Sequence, residues 1–328
     1  MDSQVIVKVD NLSKEFELKR PWLEAIFKRE KPIVKAVDNV SFEIKKGETL
    51  GVVGESGSGK TTLGRTIIRL VEPTRGSIFF DSYYIEKLSK EQLKKARRDF
   101  QIIFQDPMAS LNPYMSVGQT ISHPLEIHTN LSRGQIKQKV LEILELVNLS
   151  PAEDFYNRYP KYLSGGQRQR VVIARALITN PKFVVADEPT AMLDVSVRSQ
   201  ILKLMINLKK ELKLTYLFIT HDLASAKYIC DRIAVMYLGS IVEIAKTYDI
   251  FTNPLHPYTK ILLSSIPVPD PNIKREKILP KGEIPSATKI PSGCRFHTRC
   301  PFAKDKCSKV EPALKEVEKG RFVACHYV

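Results

Sequence analysis

Apolar and polar residues alternate at the start of the chain, with Val5, Val7 and Val9 on one side, which predicts an opening strand. The alternation returns at Ser41-Phe42-Glu43-Ile44, Lys46-Gly47 turns the chain, and Thr49–Val53 reads as a short buried strand. After a glycine-rich loop, Leu63, Ile67 and Leu70-Val71 recur at helical spacing until Pro73 ends the element. Residues 106–162 have another character, with helical periodicity from Ile136 to Val147 and few β-branched runs, so they read as a helical insertion. The core resumes with a helix through Val171, Val172 and Ala176, then strands at Phe183–Ala186, Tyr216–Ile219 and Ile233–Met236. Such βα alternation predicts an α/β fold with a largely parallel, covered sheet.

Two stretches interrupt this pattern. Between Glu17 and Val34 lies a basic segment in which Trp22-Leu23 and Ile26-Phe27 share one face of a short helix. It is an insertion facing a partner or membrane, or a loop packing its own aromatics. Beyond about residue 260, Pro267, Pro269, Pro271, Pro280, Pro285 and Pro291 exclude long elements. A linker and a small cysteine-rich module are expected over 261–328.

Composition narrows the classes. The 43% hydrophobic and 27% charged content of 328 residues fits one large soluble core with a second small module. No run approaches the ~20 apolar residues that span a bilayer, and Met1–Asp10 carries too many charges for a targeting peptide. A cytosolic protein is expected. The net charge of +15 suits a solvated basic surface, an anionic membrane face or nucleic acid. Lys and Arg are mixed with acids, as in Glu91–Asp99, rather than blocked together.

The richest chemistry lies at Gly54-Glu55-Ser56-Gly57-Ser58-Gly59-Lys60-Thr61-Thr62, between a predicted strand and a helix. Gly54, Gly57 and Gly59 let backbone N–H groups turn onto phosphate oxygens, and the helix points its positive end at the same anion. Lys60 supplies a charge for β and γ phosphates and Thr61 a hydroxyl for Mg²⁺, with Ser56, Ser58 and Thr62 completing the candidate set. Phe183–Asp187 is an apolar strand ending in a carboxylate placed to hold that metal through water. Glu188 follows, where a carboxylate can polarise an attacking water as general base. Ser164, Gly165, Gly166 and Gln167 open a further helix, a second place for an anion.

Leu163-Ser164-Gly165-Gly166-Gln167, together with the phosphate loop and Phe183–Glu188, resembles the ATP-binding cassette family. The resemblance implies a P-loop NTPase cassette core with an antiparallel β subdomain and a helical subdomain over about 106–170. The nucleotide-binding domain would span 1–260. It also implies an ATPase whose ATP is sandwiched between two subunits, the Ser164–Gln167 segment engaging nucleotide bound by the partner. His221 then matches the switch histidine that contacts the γ-phosphate. Gln105 matches the glutamine that touches Mg²⁺ and water, and Phe16 matches the aromatic that stacks on adenine. Asp194 matches the loop that meets the other subunit, although Ala191 stands where the family commonly has Ser.

Arg97–Pro107, Ala109–Pro113 and Asn253–Thr259 are similar to the oligopeptide/dipeptide importer ATPases, and Gly57–Arg65 to the second of their two paralogues. That branch implies a sister ATPase and two transmembrane permease subunits. An extracellular solute-binding protein would be an indirect partner, and the chain would sit peripherally at the cytoplasmic face of the cell membrane. Each permease would insert a short helix into a groove between Gln105 and the Leu163–Gln167 segment. Met108, Leu111, Tyr114 and Met115 would line that groove, unless they form the core of the insertion. The alternative is a nucleic-acid- or ribosome-associated ATPase of the same superfamily, whose usual double cassette or long coiled coil is missing here; no nucleic acid is expected.

Of five cysteines, Cys230 reads as a small core residue. Cys294-x5-Cys300-x6-Cys307-x17-Cys325 leaves three options open: a [4Fe–4S] cluster, Zn²⁺ or free thiols. The close C-x2-C pairs of zinc ribbons are missing, and the resemblance to importer tails favours the cluster, whose negative charge Arg295, Arg299, Lys304 and Lys306 would offset.

Overall fold

The structure, a computed structural model, describes residues 4–18, 33–266 and 278–328. The helix expected around Trp22–Phe27 and the prolines at 267, 269 and 271 lie outside those residues. Strands run in chain order as β1 (Val5–Glu17), β2 (Ile33–Lys45), β3 (Thr49–Val53), β4 (Arg75–Phe80), β5 (Tyr83–Tyr84) and β6 (Phe100–Ile103). They continue as β7 (Phe183–Asp187), β8 (Thr215–Thr220), β9 (Arg232–Tyr237), β10 (Ser240–Lys246), β11 (Lys315–Glu318) and β12 (Arg321–Val323). The chain divides into two compact units, neither of them continuous in sequence.

The first unit comprises Met1–Val5, Ile44–Thr49 and Lys87–Thr220. Its β6, β7 and β8 are parallel, with Phe100 opposite Phe183 and Phe183 opposite Thr215. Every residue of β7 and β8 is buried, which explains why these strands read as apolar runs without alternation. The expected helical insertion is present as Val117–His128, Arg133–Leu146 and Ala152–Tyr156, followed by Gly165–Leu177. Three of these four helices begin with a reciprocal cap in which Ser116, Ser132 or Ser164 exchanges hydrogen bonds with Gln119, Gln135 or Gln167.

The second unit comprises Ile6–Glu43, Leu50–Glu86 and His221–Val328. One sheet has the order β2-β1-β4-β5, with Val7 opposite Phe80 and Val9 opposite Ile78 in an antiparallel register. Both β1 and β2 are far longer than the short alternations predicted. A register shift between Asp10 and Ser13 lets β1 continue past the point where the pattern breaks. The helix after the glycine loop is shorter than expected, Lys60–Ile67, because Arg69 turns into the left-handed region (φ 52°) well before Pro73.

In the same unit β3 pairs in parallel with β9, while β10 pairs antiparallel with β9 and β12, and β11 with β12. The prediction of a largely parallel sheet therefore holds for β3–β9 and for β6–β8, and fails from β9 onward. The reason is local: Leu238-Gly239 is a two-residue connection with positive φ at both positions, a hairpin turn rather than a crossover. Glu243 of β10 is fully buried, its two carboxylate oxygens accepting from the N–H groups of Leu255 and His256 (both 2.9 Å), with the buried Arg321 of β12 3.7 Å away.

Cys230 is buried, as expected of a core residue. Its Sγ stands 2.7 Å from where a Cβ would be on Gly51 of β3. Gly51→Ala should therefore destabilise the protein by about 1–3 kcal/mol through overpacking. Cys230→Ala in the same chain should recover part of that loss, read as a shift of the urea midpoint.

Candidate functional site

The glycine loop of the second unit is held backbone against backbone. A Cβ on Gly54 (φ 158°) would lie 2.2 Å from the Met236 carbonyl oxygen, and one on Gly59 (φ 102°) 2.0 Å from that of Ala36. No side chain fits at either place, and the positive φ independently disfavours one. The loop folds around Lys60, whose Nζ donates to the carbonyls of Gly54 and Glu55 at 2.8 Å each and to Ser58 Oγ at 3.4 Å. Lys60 and Ser58 are buried. The following helix starts at Lys60 with Gly59 in place of a side-chain cap and no acid in its first turn. Helix polarity, Lys60 and the turn form a cradle of the kind that takes phosphate. Thr61 and Thr62 lie half-buried in that first turn, while Ser56 and Gly57 are exposed.

In the first unit, β7 delivers Asp187, fully buried, and then Glu188 in the left-handed region (φ 46°). That conformation turns the chain off the strand, and the Glu188 N–H donates to the Ile219 carbonyl at 2.9 Å. Gln105, just after β6, donates from Nε2 to Glu188 Oε2 at 3.1 Å. The two residues singled out from separate stretches of sequence are thus in contact, an amide orienting a carboxylate. A carboxylate so held can accept a proton from water.

Ser164 opens its helix through a reciprocal cap with Gln167. Its hydroxyl accepts the Gln167 N–H at 3.2 Å and Gln167 Oε1 accepts the Ser164 N–H at 2.9 Å, so both side chains are engaged in capping the helix. Gly165 and Gly166 are half-buried at the helix start, and Gly166 has no room for a Cβ, which would meet Val197 Cγ1 at 2.7 Å. Asp194 likewise caps Val195–Glu211, accepting from Val197 N–H (2.9 Å) and Ser196 Oγ (2.7 Å), bonds that hold its carboxyl below the usual range. On either side of it Met192 and Val195 are 63% and 77% exposed, large apolar side chains at the surface.

Phe16 lies on β1, 39% exposed, with Lys14 Nζ 4.9 Å above its ring. His221 follows β8 directly and is exposed. The expected helix-binding residues divide: Met108 and Tyr114 are exposed, Met115 is half-buried, and Leu111 is core. Met108 is also met by the Arg168 guanidinium.

The family model described as ABC transporter matches residues 37–191, and that described as Oligopeptide/dipeptide transporter, C-terminal region, matches 242–307. The chain is 48% identical over 328 residues to the oligopeptide transport ATP-binding protein AppF of Bacillus subtilis, covering 99% of this chain and 98% of that protein. It is 54% identical over 299 residues to YkfD of the same organism, provisionally named an oligopeptide transport ATP-binding protein, with 90% of each covered. A dimeric, post-hydrolysis structure of the ATP-binding cassette MJ0796 bound to ADP and Pi superposes with a TM-score of 0.64. It is 33% identical and covers 74% of this chain and 99% of its own.

The chain belongs to the ABC transporter ATPases of the oligopeptide/dipeptide importer family. Its core is the P-loop cassette of that family. Among the described residues no helix is long and apolar enough to cross a membrane.

The tail of this ABC ATPase departs from expectation in its cysteines. Cys294, Cys300, Cys307 and Cys325 line one cavity of about 170 Å³, shared with His256, His297 and His326. Among the described residues, however, no three His, Cys, Asp or Glu stand close enough to form a ready metal site. Burial pushes the Cys294 thiol up to about 11 and raises those of Cys300 and Cys325, with neighbouring cysteines adding to each effect, so these three favour their neutral form. The donor set fits iron–sulfur or zinc chemistry in kind and number; its spacing is not that of a formed site. Arg295 and Arg299 also do not face sulfur charge as expected. They pair with carboxylates: Arg295 with Asp38 (2.7 Å) and Glu311 (3.2 Å), Arg299 with Glu55 (2.7 Å).

His256 in this cavity is fully buried, and desolvation lowers its pKa from 6.5 to about 3. Its Nδ1 accepts the Tyr258 N–H at 3.1 Å, which requires the neutral ring. The unfolded chain takes up this proton below pH ~6.5 and the folded one does not, so stability is lost as pH falls through that value. At pH 5.5 the loss should be about 1.4 kcal/mol relative to pH 8. His256→Asn, which keeps a capping acceptor, should flatten urea-derived stability against pH by that amount.

Proposed function

We infer that this chain is the ATP-hydrolysing motor subunit of an importer for peptides or related small solutes. The observation that carries the reading is the coexistence, in one chain, of the phosphate loop folded around Lys60 and a tail matching the oligopeptide/dipeptide transporter region. Residues 1–260 act as the nucleotide-binding domain, with the helical subdomain at about 106–170, and 261–328 as linker and cysteine module. The sheer charge of +15 is all that speaks for a nucleic-acid-associated ATPase.

In this reading Gly54, Ser56, Gly57, Ser58, Gly59, Lys60, Thr61 and Thr62 bind the ATP phosphates, and Phe16 packs on adenine. Thr61, Gln105 and Asp187 hold Mg²⁺, which would neutralise charge on the β and γ phosphates. Glu188 takes a proton from the attacking water, oriented by the Gln105 amide that already touches it. His221 contacts the γ-phosphate. Ser164, Gly165, Gly166 and Gln167 present a helix start to nucleotide held by a sister ATPase, and the exposed Met192 and Val195 beside Asp194 support a protein contact there. Two permease subunits dock by short helices against Met108 and Tyr114, placing the chain at the cytoplasmic face of the membrane, with an extracellular solute-binding protein as indirect partner.

Glu188→Gln should lower steady-state ATP turnover by a factor of about 10²–10⁴ while leaving ATP binding intact. Size-exclusion chromatography with ATP and Mg²⁺ should then show a stabilised dimer with the sister subunit. Turnover at the wild-type rate would remove Glu188 from the role of base.

For the tail, we propose that the four thiols take up a [4Fe–4S] cluster in preference to Zn²⁺, supported by their convergence on one cavity. Anaerobically purified protein should contain iron and acid-labile sulfide in equal amounts, about four of each per chain. Stoichiometric zinc without sulfide, or no metal at all, would overturn the assignment.

A further inference from the structure

The second residue of the phosphate loop, Glu55, is gripped at two points. Its backbone N–H donates to the hydroxyl of Tyr258 at 2.9 Å. Its carboxylate accepts both terminal nitrogens of Arg299, at 2.7 and 3.1 Å. Its carbonyl, in turn, accepts from Lys60 Nζ at 2.8 Å. Glu55 therefore links the phosphate-binding lysine to a guanidinium that lies 244 positions later in sequence.

Arg299 is well placed to hold that carboxylate rigidly. It is only 6% exposed and lies against the rings of Tyr237 (5.8 Å) and Phe296 (5.9 Å). Those rings pack with Tyr258 in one cluster, with centroids 4.7–5.2 Å apart. Hydrogen bonding to Glu55 keeps the guanidinium firmly protonated. A bidentate pair with one buried partner is among the stronger polar contacts a protein makes.

A second strut comes from Arg295, 9% exposed. Its Nη1 donates to the Leu238 carbonyl at 2.6 Å and its Nη2 to Asp38 at 2.7 Å. The next residue, Gly239, donates its N–H to the Ser58 carbonyl at 2.9 Å, inside the phosphate loop. Two buried arginines of the cysteine module thus reach the loop at two points, Glu55 directly and Ser58 through the β9–β10 turn.

We propose that Arg299 is a positioning residue for the ATP site: through Glu55 the C-terminal module holds the phosphate loop in its nucleotide-ready shape. The proposal rests on the reading of Gly54–Thr62 as the ATP-binding loop. Neither Glu55 nor Arg299 would touch nucleotide. They act by raising the fraction of chains whose loop is already formed, and apparent affinity scales with that fraction.

The test is titration of the full-length protein with a fluorescent ATP analogue and Mg²⁺, beside steady-state ATP hydrolysis. Arg299→Met and Glu55→Gln should each weaken binding about tenfold, the effect of losing one charge-assisted contact. Their combination should be no worse than either alone, because both remove the same link. KM for ATP should rise with kcat largely retained, and Arg299→Lys, keeping charge without the fork, should fall between. If Arg299→Met loosens the tail as a whole, Glu55→Gln, made in the loop itself, carries the test. Wild-type binding with both variants within twofold of it, or additive losses in the double variant, would overturn the proposal. A wild-type chain that binds no nucleotide would instead overturn the ATP-loop reading on which it stands.

Discussion

The phosphate loop can exist only because two carbonyl oxygens, those of Ala36 and Met236, press where side chains would otherwise be. Gly59 and Gly54 accommodate that pressure, and in doing so they fix the path of the chain between β3 and the following helix. Lys60 then has no choice but to fold back over Gly54 and Glu55. Much of the second unit is arranged around this backbone contact. Ala36 comes from β2, Met236 from β9, and the turn after β9 bonds the loop again at Ser58.

The first unit follows a different constraint. Its strands β7 and β8 are buried along their whole length, so chemistry is confined to their ends. Asp187 and Glu188 stand at the end of β7 and Gln105 just beyond the end of β6, adjacent because the two strands are neighbours in register. The left-handed turn at Glu188 takes the chain off the strand axis where β7 ends.

Much of this could be read from the chain beforehand. The loop glycines, the apolar runs of β7 and β8 and the helical periodicity of the insertion are local signals, and each stands where it was expected. What escaped was set by distance in sequence. Glu55 occupies a variable position of its motif, and nothing local marks it as the partner of Arg299. The hairpin β11–β12 was hidden because β11, Lys315-Glu316-Val317-Glu318, is exposed throughout and has no buried face to impose alternation. Ser164 and Gln167 carry a second local signal beside the family motif: their Ser-x-x-Gln spacing is that of a reciprocal helix cap, and both bonds of that cap are formed. Arg295 and Arg299 stand beside cysteines in sequence, which suggests sulfur charge as their partner, whereas folding gives them the carboxylates of Asp38 and Glu55 far away along the chain.

The ion pair between Glu243 and Arg321 ties the fate of two strands together. Glu243 is wholly enclosed and Arg321 lies buried beside it, so each is shielded from water only while the other is in place. Removing one partner of such a pair strands the other in the interior, a larger loss than removing both. Peeling β12 from the edge of β10 would do the same, so the hairpin β11–β12 does not fray by itself: it opens and closes with β10 as one cooperative piece.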